Sequence, residues 1–165
     1  MTTRVYVPST MAGLRGLVAA DGIGPAPFLG HAVTDALRAD YAEGGEEEWE
    51  YAAALAASGS SLALIGVEGE PRRVVVAVDV DGVAELGDAD DPSLVEVGEV
   101  VPFRRVAAVL VDLESTAEVV RAASAAWPEA EVGDEEALGV VERALDNDLA
   151  WYATQEIGDL LGLPG

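Results

Sequence analysis

The sequence predicts an α+β fold. We expect two layers, a mostly antiparallel sheet with helices packed chiefly on one face, and an internal pseudo-twofold repeat of β-α-β-α units. Three observations predict it. Strong apolar segments at 72–78 and 104–111 occupy the middle of the chain, and Ala-rich stretches with helical spacing lie on either side. Val5-Tyr6-Val7-Pro8-Ser9-Thr10, ahead of a helical stretch with Arg15, is echoed by Val111-Asp112-Leu113-Glu114-Ser115-Thr116 ahead of one with Arg121. In the same order, Val33-Thr34-Asp35 is answered by Val132-Gly133-Asp134, and Trp49 with Tyr51-Ala52 by Trp151 with Tyr152-Ala153. The chain of 165 residues fits one domain, 1–165, with repeat halves 4–66 and 105–162 joined by a strand meander over 72–111. A duplicated fold tends to place a cleft or a dimer surface between its halves.

The elements follow in order. Residues 4–8 read as a strand that Pro8 stops. Ser9 or Thr10 can cap the next helix, whose Met11, Leu14, Leu17 and Val18 recur at helical spacing. The Gly- and Pro-rich stretch 21–27 is a loop, and a short strand over 31–34 leads to a turn or two of helix ending near Tyr41. Glu46, Glu47 and Glu48 open a longer helix, where acid complements the helix dipole. Tyr51, Leu55, Ser58, Leu62 and Ile65 share one face if that helix runs through Gly59; a break at 58–60, with 62–67 as a separate strand, competes. The continuous apolar run in 72–78 predicts a strand buried on both faces. An acidic loop over 88–92 leads to a strand at 94–100, and Pro102 separates this from the strand over 104–111. These three strands are expected to form an antiparallel meander at the sheet centre. Ser115 and Glu118 have capping-box spacing for a helix carrying Val119, Val120, Ala123 and Trp127 and ending before Pro128. A strand at 131–133, a helix over 134–145 and a final helix restarting at Asn147 or Asp148 and closed by Gly162 and Pro164 complete the chain.

Composition narrows the function classes. Half of the residues are hydrophobic, yet the net charge is −22, so the chain folds and carries its acid outside. There is no cysteine, which removes disulfides, thiolate nucleophiles and cysteine-ligated metals. A lone histidine, His31, cannot build a multi-His metal site, so no metal or other cofactor is expected. No apolar run reaches membrane-spanning length, and a soluble cytoplasmic protein without a membrane partner is expected. All nine basic residues are Arg, a composition expected of an actinobacterial genome. Acidity this strong excludes nucleic acid as a partner, because phosphate binding needs clustered positive charge.

Several constellations are candidates for chemistry. On a final helix at about 100° per residue, Glu156 falls in the middle of an apolar stripe with Leu149, Ala153 and Leu160, beside Tyr152. A carboxylate so placed either pairs with an Arg at a strand entrance (Arg4, Arg73 or Arg105) or serves as a general base. Trp151 and Gln155 point to the other side of that helix, as Trp49 points away from Tyr51, so these are candidate interface residues unless sandwiched between layers. Glu47 before Tyr51 and Asp148 before Tyr152 could polarise or simply satisfy each phenol across one turn. Arg73, Arg105 and Arg4 open strands and would suit a small anion if gathered at one sheet edge, or would neutralise nearby acid. A Ser-His-Asp relay through His31 lacks a supporting Gly-x-Ser-x-Gly turn. Asp79-Val80-Asp81-Gly82 has its glycine misplaced for a calcium loop, and there is no Walker loop or Gly-x-Gly-x-x-Gly.

Val5-Tyr6-Val7-Pro8-Ser9-Thr10, Trp151-Tyr152-Ala153-Thr154-Gln155-Glu156-Ile157, Glu50-Tyr51-Ala52-Ala53 and Arg104-Arg105-Val106 together resemble a family of uncharacterised actinobacterial proteins, a domain of unknown function. The resemblance covers nearly the whole chain, implies an actinobacterial origin and carries over no catalytic residues. Two function classes are therefore expected. The first is a non-enzymatic protein acting through protein contacts, as a homodimer or with another partner, using Trp49 and Trp151. The second is a small-molecule binder or enzyme with a cleft between the halves, using Tyr51, Tyr152 and Glu156.

Overall fold

The computed structural model describes residues 2–164. Its elements are β1 (Thr3–Ser9), α1 (Met11–Ala20), β2 (Gly22–Ile23), β3 (Phe28–His31), α2 (Asp35–Asp40), α3 (Glu46–Ile65), β4 (Val74–Val80), β5 (Ala84–Glu85), β6 (Leu94–Val97), β7 (Val101–Pro102), β8 (Val106–Val111), α4 (Ala117–Glu131), α5 (Glu135–Leu145), β9 (Ala150–Ala153) and α6 (Ile157–Leu161). Seven strands form one sheet in the order β5-β6-β3-β1-β4-β8-β9, with antiparallel pairings. β2 and β7 make a separate two-stranded ribbon.

The α+β class and the mostly antiparallel sheet hold. β4 explains its own sequence: Val74, Val76, Val78 and Val80 enter one core, and Val75 and Ala77 enter another on the opposite face. The first core is closed by α1 through Met11, Leu14 and Leu17 and by α6 through Ile157 and Leu161. The second is closed by α3 through Ala53 and Ala57 and by α2 through Leu37. The α4–α5 hairpin packs beyond, on Leu62 and Ile65 of α3, through Val120, Ala123, Val141 and Ala144. Helices α2 to α5 thus stack on one side of the sheet. Gly30 is required in β3, since a Cβ there would lie 2.5 Å from Val5 Cγ1 of the neighbouring strand. Thr10 caps α1 by accepting from the Gly13 N–H at 3.0 Å.

Of the two alternatives for 46–67, the helix through Gly59 forms, and 62–67 is not a strand. Other expectations are corrected. The meander over 72–111 does not form as expected: β4 pairs with β8, but β6 lies beside β3 on the far side of β1. The strand expected at 31–34 lies at Phe28–His31, and that at 94–100 ends at Val97. The Ser115 capping box is replaced by a 3-10 turn over Glu114–Thr116, whose Thr116 hydroxyl donates to Leu113 O at 2.7 Å. Pro128 lies inside α4, which continues to Glu131, and 131–133 is not a strand.

The largest correction is at the C-terminus. There is no long final helix: Ala150–Ala153 is β9, followed by a 3-10 turn over Thr154–Glu156 and the short α6. The aromatic pair Trp151-Tyr152 suits a pleated, half-buried surface, and β8 offers an open edge to pair with. One correspondence of the expected internal repeat does not hold, because Trp49 and Tyr51 are helical whereas their counterparts Trp151 and Tyr152 are in a strand.

Candidate functional site

Helix α3 crosses the sheet and leaves a cleft of about 280 Å³ between itself and the β9 side. Tyr6 of β1, Ala77 of β4, Leu110 of β8 and Trp151 of β9 form the floor, and Glu47, Glu50, Tyr51 and Ala54 of α3 form a wall. A second cleft of about 270 Å³ continues past Tyr51 to Asn147, Asp148 and Leu149. Tyr51 spans the two: its hydroxyl donates to Asp148 Oδ1 at 3.0 Å, tying α3 to the loop before β9. That bond raises the Tyr51 pKa, with burial and the charges of Asp148 and Asp146 adding to it. Burial raises the Tyr6 pKa, and Glu50 adds to it. At the far end of the floor, Arg4 forms a two-pronged pair with Asp79, at 2.9 and 3.1 Å.

Trp151 is 63% exposed on the terminal strand of the sheet. The Ala153 N–H donates to Glu156 Oε1 at 3.2 Å, so it faces away from β8. Backbone groups two residues apart in a strand point the same way, and Trp151 therefore turns its N–H and C=O outward as well. Residues 149–155 carry no charge. Native sheets blunt their edges with charge, proline, bulges or short length. At the opposite edge β5 has only two residues, one of them Glu85, and is blunted in this way. β9 is not.

The remaining sequence candidates fall elsewhere. Trp49 donates its Nε1–H to Tyr41 O at 3.0 Å and lies beneath the Arg38 guanidinium, 5.5 Å from the ring centroid, so it is a packed helix anchor. Tyr152 packs against the α1–α6 core, on the opposite face from Tyr51, so the two tyrosines do not share a cleft. Glu156 is exposed and caps the Ala153 N–H, rather than sitting in an apolar stripe; Gln155 beside it is exposed. Asp148 serves Tyr51, not Tyr152. Arg105 pairs with Asp81 at 3.2 Å and reaches the Asp79 carbonyl, which brings it toward Arg4 at one end of β4. Arg73, at the other end, is fully buried in an ion pair with Asp112 and open to no ligand. Arg104 and Arg105 border a shallow cleft of about 710 Å³, where Asp79, Asp81, Glu96 and Glu99 outnumber them.

His31 forms a network that the sequence names only by its parts. Its Nδ1 lies 2.9 Å from Ser93 Oγ and 3.4 Å from Asp91 Oδ2, and its Nε2 lies 3.1 Å from Ser60 Oγ. Ser93 gives its own proton to Asp91 Oδ1 at 2.7 Å, so it accepts from Nδ1–H, which leaves Nε2 to accept from Ser60. This is the order of a Ser-His-Asp relay. It is a clamp all the same: His31 is 1% exposed, and Ser60 lies inside α3, whose N–H groups are committed to the helix and offer no oxyanion donors. Ala32 N–H to Ser93 O and Thr34 Oγ1 to Pro92 O close the same loop onto β3.

The clamp has a pH signature. The hydrogen bond from His31, with those from Ser93, holds the Asp91 carboxyl below its ordinary value against the opposing effect of burial. A carboxyl whose pKa is depressed on folding stabilises the fold above its unfolded-state pKa, and loses that contribution as pH falls through the folded value. We expect the stability advantage of the natural protein over Asp91→Asn to be full at neutral pH and to shrink on acidification through that window. Urea unfolding of both proteins across the acid range measures it, and a difference that stays constant with pH would contradict it.

Among the described residues, no helix is long and apolar enough to cross a membrane. A family model described as "Family of unknown function (DUF6912)" matches residues 3–161. No curated protein and no solved structure matches the chain.

Proposed function

We infer that this chain, which belongs to the family of unknown function DUF6912, acts without chemistry of its own, through protein contacts made at the β9 edge. One observation carries the reading: an uncharged, unpaired edge strand presents Trp151, 63% exposed, in a chain of net charge −22. An edge of this kind is a template for a further strand, and a large exposed aromatic beside it is the usual anchor of a contact surface. The alternative, a cleft enzyme using Tyr152 and Glu156, draws no support from their positions, since Glu156 is spent on a backbone N–H and Tyr152 on the core.

Because its indole is mostly in solvent, Trp151→Ala is expected to leave the thermal unfolding midpoint nearly unchanged while abolishing self-association or partner capture. The comparison variant is Val132→Ala, which changes a residue 85% exposed in the turn before α5. Sedimentation of the purified proteins, with affinity capture from the native host, reads the result. Identical oligomeric state and identical captured partners for Trp151→Ala and the natural protein would overturn the reading.

A further inference from the structure

We propose that the partner segment received at β9 is an extended, basic stretch of another protein, which places an Arg or Lys side chain between Trp151 and the α3 wall. This rests on the β9-edge reading above and specifies what the edge takes.

A strand added to β9 exchanges hydrogen bonds with the outward N–H and C=O of Trp151. Its alternate side chains then fall on the same face of the sheet as the Trp151 indole. That face is where the cleft lies, because Trp151 joins Tyr6 on its floor and Tyr51 on its wall. Aromatic faces attract cations, and here Glu47 and Glu50 rise from the same wall. Among the described residues that line the cleft, Arg4 is the one cation, and it is held by Asp79. The cleft thus offers rings and two carboxylates in no direct ion pair, the complement of a guanidinium or an ammonium group.

The same bookkeeping argues against a second copy as the occupant. Of nine Arg residues, seven are held by partners within the chain: Arg4, Arg38, Arg72, Arg73 and Arg105 in ion pairs, Arg15 on Leu161 O, and Arg121 on Val67 O and Gly69 O. A second copy brings little free positive charge and a net charge of −22. A basic segment brings the opposite sign, which steers encounter and selects the partner.

The test uses the whole purified chain and a capped synthetic peptide alternating Arg with Val, with a second peptide carrying Gln in place of each Arg. Titration at about 0.15 M salt suppresses long-range attraction. The Arg peptide is expected to bind tighter than the Gln peptide by about tenfold, the worth of one good cation–aromatic or charge-assisted contact. Glu47→Gln with Glu50→Gln should remove the preference. Glu68→Gln with Glu70→Gln, past the opposite end of α3, should preserve it. Trp151→Ala should abolish binding of both peptides. Equal affinity for the two peptides would overturn the cationic assignment while leaving the edge reading standing. Loss of the preference in the Glu68/Glu70 variant would reduce it to general acidity and also overturn it. Self-association through Trp151 with no peptide bound would replace the basic partner by a second copy. No binding and no self-association would overturn both.

Discussion

Asp112→Asn or Arg73→Ala is expected to destabilise the fold by about 3–5 kcal/mol, the usual consequence of leaving half of a buried ion pair. The pair is fully buried on both sides. Arg73 Nε donates to Asp112 Oδ2 at 2.9 Å and Nη2 to Oδ1 at 2.8 Å; the Arg73 backbone N–H also donates to Oδ2, at 2.7 Å. Nη2 reaches on to Asn147 O at 2.9 Å, so one guanidinium ties the start of β4, the end of β8 and the loop before β9. An Asn at 112 would turn an amide N–H₂ toward a guanidinium that can only donate. The cost is one of geometry more than of net attraction. Arg73 Nη1 is buried without a partner, so the pair does not recover all the hydration it gives up. Replacing both residues by apolar ones, Arg73→Met with Asp112→Leu, removes the unpaired charge and is therefore expected to recover part of the loss, while the Arg73 backbone N–H and Asn147 O lose their side-chain partners. Urea unfolding of the natural protein, Arg73→Met, Asp112→Leu and the double variant, the four members of one double-mutant cycle, measures it. Additive losses would show that the two side chains do not act as a unit.

This pair also marks where sequence reading stops. β4 was legible because burial on both faces leaves a continuous apolar run, and α1 because Thr10 stands one residue before a helical stripe. The pairing of Arg73 with Asp112 was not, since nothing local distinguishes that Asp from other acids in the chain. The same holds for Ser60, His31 and Asp91, brought together only when α3, β3 and the 91–93 turn meet. β9 was misread for a different reason. Leu149, Ala153, Ile157 and Leu160 satisfy a helical wheel, but the open edge of β8 selects the extended form for Ala150–Ala153. The signal that could have found it was the charge-free run from Leu149 to Gln155, bounded by Asp148 and Glu156 and centred on a Trp-Tyr pair. The helical reading is right for Tyr51 and wrong for Trp151, and the fold places both on one cleft.

Ser61→Ala is expected to cost far more than Ser58→Ala, although both serines are buried and lie one turn apart on α3. The Ser61 hydroxyl donates to Ser9 O at 2.7 Å and accepts from the Val74 N–H at 3.1 Å. One oxygen therefore stitches the end of β1, the C-terminal part of α3 and the start of β4. Removing it takes the side-chain partner from a backbone acceptor and a backbone donor that face each other across the β1–β4 ladder, at a site closed to water. Each such group left unpaired costs about 1–3 kcal/mol, which places the variant at up to roughly 6 kcal/mol below the natural protein. Ser58 donates to Leu55 O at 2.7 Å, a carbonyl of its own helix that keeps its main-chain partner, and its loss should cost under about 1 kcal/mol. Thermal and urea unfolding of the two variants decide between the accounts. Equal losses would mean that burial alone sets the cost. A large loss at Ser61 alone would mean that the hydroxyl acts as a substitute rung between strands and helix. It would also account for a serine in the interior of a helix, where an apolar residue would otherwise pack better. The same junction holds α3 over the sheet, and with it the spacing between Tyr51 and Trp151. Ser61→Ala is accordingly expected to weaken capture at β9 as well, without touching any residue that lines the cleft.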